Sequence, residues 1–443
     1  MLLYYIMAEN NSADNFYRTL VSYFQENIKN TDNDRIVKEE IIFAMYGFCV
    51  NADWDTIFTL KKRMETEFSL DVNCKYVYVA TPKYYGCDLR EILFDRDEQP
   101  IAGANELLEL FANKWRETGN SQIDHILTDI DDTLYPHKKL NIPGKDDSWV
   151  QKKPYPGIKE FYRQFYSKLE EQYQYTTILS ATPGFLKTSK LKDKHGELSP
   201  ILKDYGFLHG ENKKKNYTEN IRQLYQMFGN TKFERFKQYK RLFPEYRMIF
   251  IGDNGQGDLI AGEKMVEFDN QCLVYIHQIS EDRMAYKKVN VSNKLNVQQR
   301  ERINFFNTYH ELGILMKHEN IFDRNDHKAI TKAFQNEVEN GPPEFKHLNE
   351  VTRLEPRIST TKPKLTIKAP LPQNKNTRQS ISPTGVSEFD NDQFQSAGKR
   401  KKTKKNKKGS NKDTKKGTKK GNKIKKNSTK RAVGKKKRTL RSR

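Results

Sequence analysis

The chain has 443 residues and no run of about 18 consecutive apolar residues, so the sequence predicts no transmembrane helix. Cysteine is scarce. Cys49, Cys74, Cys87 and Cys272 form no CxxC pair and no zinc-type spacing, which predicts free thiols in a reducing compartment. The marks of a secretory leader are also missing. The opening MLLYYIM is apolar for seven residues but has no basic start and no small-residue cleavage site, and Met7 offers an alternative start. Acidic residues are nearly absent from one segment alone. Lys399–Arg443 carries 24 basic residues and one acid, Asp413, while the remainder carries 55 basic and 56 acidic residues. The net charge of +22 therefore describes a near-neutral body with a cationic tail. The tail has no aromatics either, which removes the stacking platforms that sequence-tolerant single-strand binding uses and argues against base reading.

The body divides by pattern. Residues 1 to about 118 read as an α/β accessory region. Tyr17, Leu20, Val21, Phe24 and Ile28 share one helical face, residues 37–48 and 104–115 read as further helices, and KYVYVAT (75–81) reads as a strand. Residues 119–335 alternate strands and helices. IDHILTDI (123–130), QYTTILS (174–180), RMIFIG (247–252) and QCLVYIHQI (271–279) are short apolar runs of the kind buried on both faces of a parallel sheet. Ile158, Phe161, Tyr162, Phe165, Tyr166 and Leu169 mark a helix that starts after Pro156-Gly157, and residues 232–243 mark another that stops at Pro244. The alternation predicts a doubly wound parallel α/β sheet. Residues 297–335 read as helices, with Phe305, Tyr309, Leu312 and Met316 on one face. Residues 336–398 are Pro-rich and polar and read as a disordered linker, and 399–443 as a disordered Lys/Arg-rich tail.

Ligands of open α/β sheets bind outside the carboxyl ends of the strands. Three predicted strands end in reactive-looking residues: Asp129-Ile130-Asp131-Asp132-Thr133, Ser180-Ala181-Thr182-Pro183, and Gly252-Asp253-Asn254-Gly255-Gln256-Gly257-Asp258. Parallel strands bring these segments to one edge. So many carboxylates in one place need a cation, and an all-oxygen donor set favours Mg²⁺. Asp129 can then serve as a nucleophile that forms an aspartyl-phosphate. Asp131, two residues on, can protonate the leaving oxygen and then activate water. Thr133 can fix the turn, Ser180 can donate to a phosphoryl oxygen, and Asp253 with Asp258 can hold the metal. Lys232, at the start of its helix by this reading, can supply the cation for the developing oxyanions. Lys237 and Lys240 share that helix and are alternatives. Asp132 reads as a turn or metal-shell residue, His125 as a strand residue, His137 as a residue flanking the motif with approach to substrate the lesser alternative, and the lysine-rich stretch 212–215 as a solvated loop.

DIDDT after an apolar strand, a strand-ending Ser, a helix-borne Lys and GDNGQGD resemble, in order and spacing, the four motifs of the haloacid dehalogenase superfamily. IGDNGQGD further resembles the GDSGQxD form of the actin-patch type of phosphatidate phosphatase. Other likenesses are the Pro-Gly helix PYPGIKEFYRQF, ILSATP as a Ser-x-x-Pro motif, Lys232 ahead of Phe243-Pro244, VYIHQI, and NFFNTYHELGI for a Phe-x-Thr-Tyr helix. The resemblance covers about 121–320. Departures are Pro183-Gly184-Phe185 where an aromatic follows the proline directly, and Asn254 in place of Ser. The resemblance implies an Asp129 nucleophile, an Asp131 acid/base, phosphoryl binding by Ser180 and Lys232, and Mg²⁺ held by Asp129, Asp253, Asp258 and the backbone carbonyl of Asp131. It implies a haloacid dehalogenase-like fold that converts phosphatidate to diacylglycerol and phosphate.

Thr133 and Ser180 are separated by 46 residues, Ser180 and Lys232 by 51, and predicted elements use most of both. Neither gap holds a large cap, though residues 184–216 have room for a small one. An uncapped site suits a bulky lipid or macromolecular substrate, since small metabolites need a lid to exclude water. Two other readings stand beside the lipid one: a nucleic-acid-end or phosphoprotein phosphatase recruited by the tail, and a non-catalytic polyanion-binding protein. The tail itself suits an anionic membrane, at about 1 kcal/mol per basic residue near the surface. It equally suits nucleic-acid phosphates with steep salt dependence, or a nuclear address. Lysine is abundant throughout, so compositional drift also accounts for it. An intracellular location, cytoplasmic, membrane-peripheral or nuclear, follows from these features.

Overall fold

The computed structural model describes residues 12–27, 34–68, 88–95, 99–136, 146, 148–183, 198, 200–210, 221–279, 291–346 and 348. Among the described residues, five helices precede the sheet: α1 (Ala13–Asn27), α2 (Asp34–Asn51), α3 (Trp54–Thr66), α4 (Leu89–Leu93) and α5 (Ala104–Thr118). The strand expected at 75–81 lies outside the described residues, as do His137, the stretch 212–215, most of 184–216 with its room for a cap, and the tail.

From 123 onward the chain alternates as expected: β1 (Ile123–Thr128), α6 (Ile158–Ser167), β2 (Thr176–Pro183), β3 (Tyr205–Gly210), α7 (Ile221–Leu242), β4 (Tyr246–Asp253), α8 (Asp258–Phe268), β5 (Leu273–His277), α9 (Val297–Glu301), β6 (Ile303–Phe306), α10 (Tyr309–His318) and α11 (Arg324–Glu339). The strands form one parallel sheet in the order β3-β2-β1-β4-β5-β6. The winding direction reverses between β1 and β4, which makes their carboxyl ends the place where a ligand cleft opens.

Two corrections concern the elements. Residues 303–306 form edge strand β6 beside β5, not a helix. Its four residues are too short for a strand signal, and Phe305 fits the helical spacing of Tyr309, Leu312 and Met316 by coincidence. Helix α7 begins at Ile221, so Lys232 sits in its middle and not at its start.

Successive strand residues point to opposite faces, and both faces are covered. Ile126, Ile178, Phe207, Ile249, Ile251 and Tyr275 pack with α6, α10 and α11. Leu127, Leu179, Leu208, Met248, Phe250 and Val274 pack with α7, α8 and the N-terminal helices in a single core. This is why the strands read as continuous apolar runs. It also makes α1–α5 part of the layer covering one face of the sheet.

Candidate active site

Asp129 directly follows β1, and its N–H donates to the carbonyl of Ile251 on β4 (2.9 Å). Thr128 and Ile251 are register partners, so Asp129 and the β4 terminus at Asp253 arrive at the same sheet edge. The segment between β4 and α8 is built of close approaches. A Cβ on Gly252 would fall 2.4 Å from the Asp258 carboxylate. Gly257 has φ +98°, and a Cβ there would fall 2.3 Å from the carbonyl of Tyr225 on α7. Only glycine allows this backbone and this contact.

Asp129, Asp253 and Asp258 each bring a carboxylate oxygen within 4.8 Å of the others, and all three are buried. Lys232 projects from α7 into the group, with Nζ 3.0 Å from Asp129 and 2.5 Å from Asp258. Asp253 accepts from the N–H groups of Gly255 (2.5 Å) and Gln256 (3.1 Å) on one oxygen. Its other oxygen is buried with no hydrogen-bond partner. Three carboxylates thus share one ammonium. Burial pushes the Asp129 carboxyl up to about 6: Lys232 pulls it back, while the charges of Asp258 and Asp131 add to the rise. Burial, then Asp258 and Asp129, drive Asp253 well above its ordinary value. Burial works against the charge of Lys232, but Asp129, Asp258 and Asp253 outweigh it and hold the ammonium protonated. An excess of buried negative charge with an orphaned carboxylate oxygen is a donor set that fits a hard divalent cation.

The remaining expected residues distribute around this cluster. Ser180 lies near the end of β2, the strand beside β1, and is buried. Asp131 is partly exposed at the turn. Thr133 is buried, its hydroxyl without a partner and its N–H 3.3 Å from the carbonyl of Ile130. Lys237 pairs instead with Glu234, and Lys240 with Asp269 and the carbonyl of Tyr246. Lys232 is therefore the one of the three that meets the carboxylates. Asn254, where the resembling family has Ser, accepts from the N–H of Ile279 and ties the loop to the end of β5.

Asp132 adopts φ +59° and is held by His277, Asp146 and Gln256. A second acid-and-histidine group, Asp88, Glu91 and His209, lies at the end of β3. Arg90 reaches His209 at 3.1 Å and Arg235 donates to its carbonyl, so two guanidinium groups already supply the positive charge there.

No curated protein and no solved structure matches the chain. Residues 125–277 match the family described as phosphatidate phosphatase APP1, catalytic domain. The match spans β1 to β5 and contains every residue of the carboxylate–lysine cluster. It leaves out α1–α5, α9, β6, α10 and α11. Over residues 125–277 the α/β core is similar to a phosphatase catalytic domain of the phosphatidate phosphatase APP1 type.

Proposed function

We propose that the chain is a Mg²⁺-dependent phosphatase that cleaves phosphatidate to diacylglycerol and phosphate through an aspartyl-phosphate on Asp129. The buried Asp129–Lys232–Asp258–Asp253 cluster, inside a segment of phosphatidate phosphatase type, carries the reading. A carboxylate oxygen of Asp129 attacks phosphorus. The bond from phosphorus to the diacylglycerol oxygen breaks, and Asp131 gives that oxygen a proton. Asp131, now a carboxylate, takes a proton from water as the water oxygen attacks phosphorus. The bond to Asp129 then breaks and inorganic phosphate leaves.

Lys232 and the Ser180 hydroxyl hold the phosphoryl oxygens, and Thr133 fixes the turn. Asp129, Asp253, Asp258 and the carbonyl of Asp131 are the groups that would hold Mg²⁺. When bound, the ion neutralises charge on the transferred phosphoryl group. The unpartnered oxygen of Asp253 supports that assignment. No described helix is long and apolar enough to cross a membrane. In this reading the cationic tail holds the enzyme on an anionic lipid surface inside the cell, where its substrate resides.

The test is Mg²⁺-dependent phosphate release from phosphatidate in mixed micelles, with Asp129→Asn as the blank and a chelator arm. Release above the blank, abolished by chelation, is the expected result. Turnover of an aryl phosphate without turnover of phosphatidate moves the substrate to nucleic-acid ends or phosphoproteins. Release of neither leaves a non-catalytic binding protein. Deleting 399–443 should lower turnover on anionic liposomes and leave a soluble ester unaffected.

A further inference from the structure

Asp132 stands between the loop that bears Asp129 and Asp131 and the turn at Thr133, and its φ of +59° lies in the left-handed region. An L side chain crowds its own carbonyl there, so such a turn persists only where its surroundings hold it. Two successive carbonyls of this turn are held from outside the loop. His277, the last residue of β5, places Nδ1 2.7 Å from the carbonyl of Asp132. Tyr309, the first residue of α10, donates its hydroxyl to the carbonyl of Thr133 at 3.0 Å. The other ring nitrogen of His277 lies 3.2 Å from the carbonyl of Asn307, so a carbonyl faces each ring nitrogen, and a single ring N–H serves the shorter contact, to Asp132.

The Asp132 carboxylate closes a circuit with the same groups. One oxygen accepts from the N–H of Asp146 (3.2 Å) and the other from Gln256 (3.4 Å). The hydroxyl of Tyr155 donates to Asp146 at 2.6 Å, and its ring stands edge-on to His277 with centroids 4.8 Å apart. Asp132, Asp146, Tyr155, His277 and Tyr309 are all buried. Besides Asp132 itself, Gln256 is the member of this circuit that belongs to a segment carrying the carboxylate cluster.

We propose that His277 and Tyr309 are positioning residues for phosphoryl transfer, clamping the carbonyls of Asp132 and Thr133 so that Asp129 and Asp131 keep a fixed angle to the phosphorus. Neither touches substrate. Each acts through the backbone, and the backbone of a left-handed residue is where the loop would otherwise relax. Tyr309 lies beyond the segment that matches the family, so α10 becomes part of the catalytic apparatus. The proposal rests on the phosphatase reading.

The experiment compares the full chain with His277→Gln, His277→Asn and Tyr309→Phe on a soluble aryl phosphate, with Asp129→Asn as the blank. The Asn amide nitrogen falls near the place of Nδ1, whereas that of Gln falls near Nε2. Misplacement of a reacting group by a fraction of an ångström to 1 Å lowers turnover by about 10- to 100-fold. His277→Gln and Tyr309→Phe should lose about tenfold or more in kcat with KM within about twofold, and His277→Asn should keep most of kcat. Melting curves of the variants normalise kcat to folded protein, and Tyr309→Phe, which changes only a hydroxyl, tests the clamp even if position 277 does not tolerate change. Unchanged kcat in Tyr309→Phe and His277→Gln overturns the proposal, as does an equal loss in the Asn and Gln variants. A wild-type rate no higher than that of Asp129→Asn overturns the phosphatase reading and the clamp together.

Discussion

The ammonium of Lys61 lies 2.9 Å and 3.0 Å from the two carboxylate oxygens of Glu245, and neither side chain reaches solvent. Lys61 belongs to α3 and Glu245 immediately precedes β4, so the pair fastens an N-terminal helix to the strand that ends in Asp253. The rings of Trp54, Phe111 and Phe243 surround the ammonium at 4.8, 5.0 and 4.6 Å. Burial pulls the Lys61 pKa down and pushes that of Glu245 up, while each charge works against the shift of the other.

Breaking this pair from one side should be worse than removing it whole. Lys61→Met or Glu245→Leu alone leaves a lone charge in an apolar layer and should cost roughly 3–5 kcal/mol. The double variant leaves no orphan and should recover much of that loss. Chemical denaturation of the four proteins measures the cycle, and additive single losses would sink the argument. The same contact explains why the N-terminal helices accompany a domain whose family match begins only at residue 125.

His125 makes a prediction about acid. It is fully buried, stacked on Tyr246 with centroids 4.2 Å apart, and 3.0 Å from the hydroxyl of Thr177. Burial lowers its pKa from the ordinary 6.5 to about 3. The folded state therefore refuses a proton that the unfolded chain accepts. Stability from this source is complete above pH 6.5 and is lost as pH falls from there toward 3, by up to about 1.4 kcal/mol per pH unit. His125→Phe keeps an aromatic ring in the stack and removes the titration. Its stability should decline less steeply than that of the wild type between pH 6.5 and 4, and parallel curves would show that His125 is not the group responsible.

The parts of the fold legible in the sequence share one cause. Strands β1, β2, β4 and β5 are buried on both faces, so their composition alone marks them. Strand β3 hides because Gly206 and His209 interrupt it. Both are buried, and the polar groups of Glu91, Arg90 and Arg235 gather around His209 there. The first half of α7 hides because Gly229, Asn230 and Thr231 are poor helix formers. At the site, Asp129, Asp253 and Asp258 were legible because parallel strands deliver their carboxyl ends to one edge, whereas Lys232 was read as a helix-start residue and lies in the middle of α7. The circuit around Asp132 was not, because a histidine ending one strand and a tyrosine opening a later helix meet only through the tertiary fold. No spacing in the sequence joins Asp146 to His277.

Gly229 supplies the last prediction, and it follows from its contact with the motif loop. A Cβ on Gly229 would fall 2.6 Å from the carbonyl of Gly257 and 2.9 Å from Cβ of Ile260. Backbone and the root of a side chain cannot give way cheaply, so Gly229→Ala should push α7 away from the loop between β4 and α8. Lys232 stands three residues further along the same helix face, and its ammonium is 3.0 Å from Asp129. Overpacking should cost about 1–3 kcal/mol of stability, and displacement of Lys232 by up to 1 Å should cost about 100-fold in kcat. Gly119→Ala separates the two effects. Gly119 ends α5 with φ +68° and has nothing within 4 Å of an added methyl, so alanine there meets only backbone strain of about 1 kcal/mol. Both variants should melt below the wild type, but only Gly229→Ala should lose turnover per folded molecule. Equal turnover in the two would mean that the approach of α7 to the loop serves stability and not the placement of Lys232.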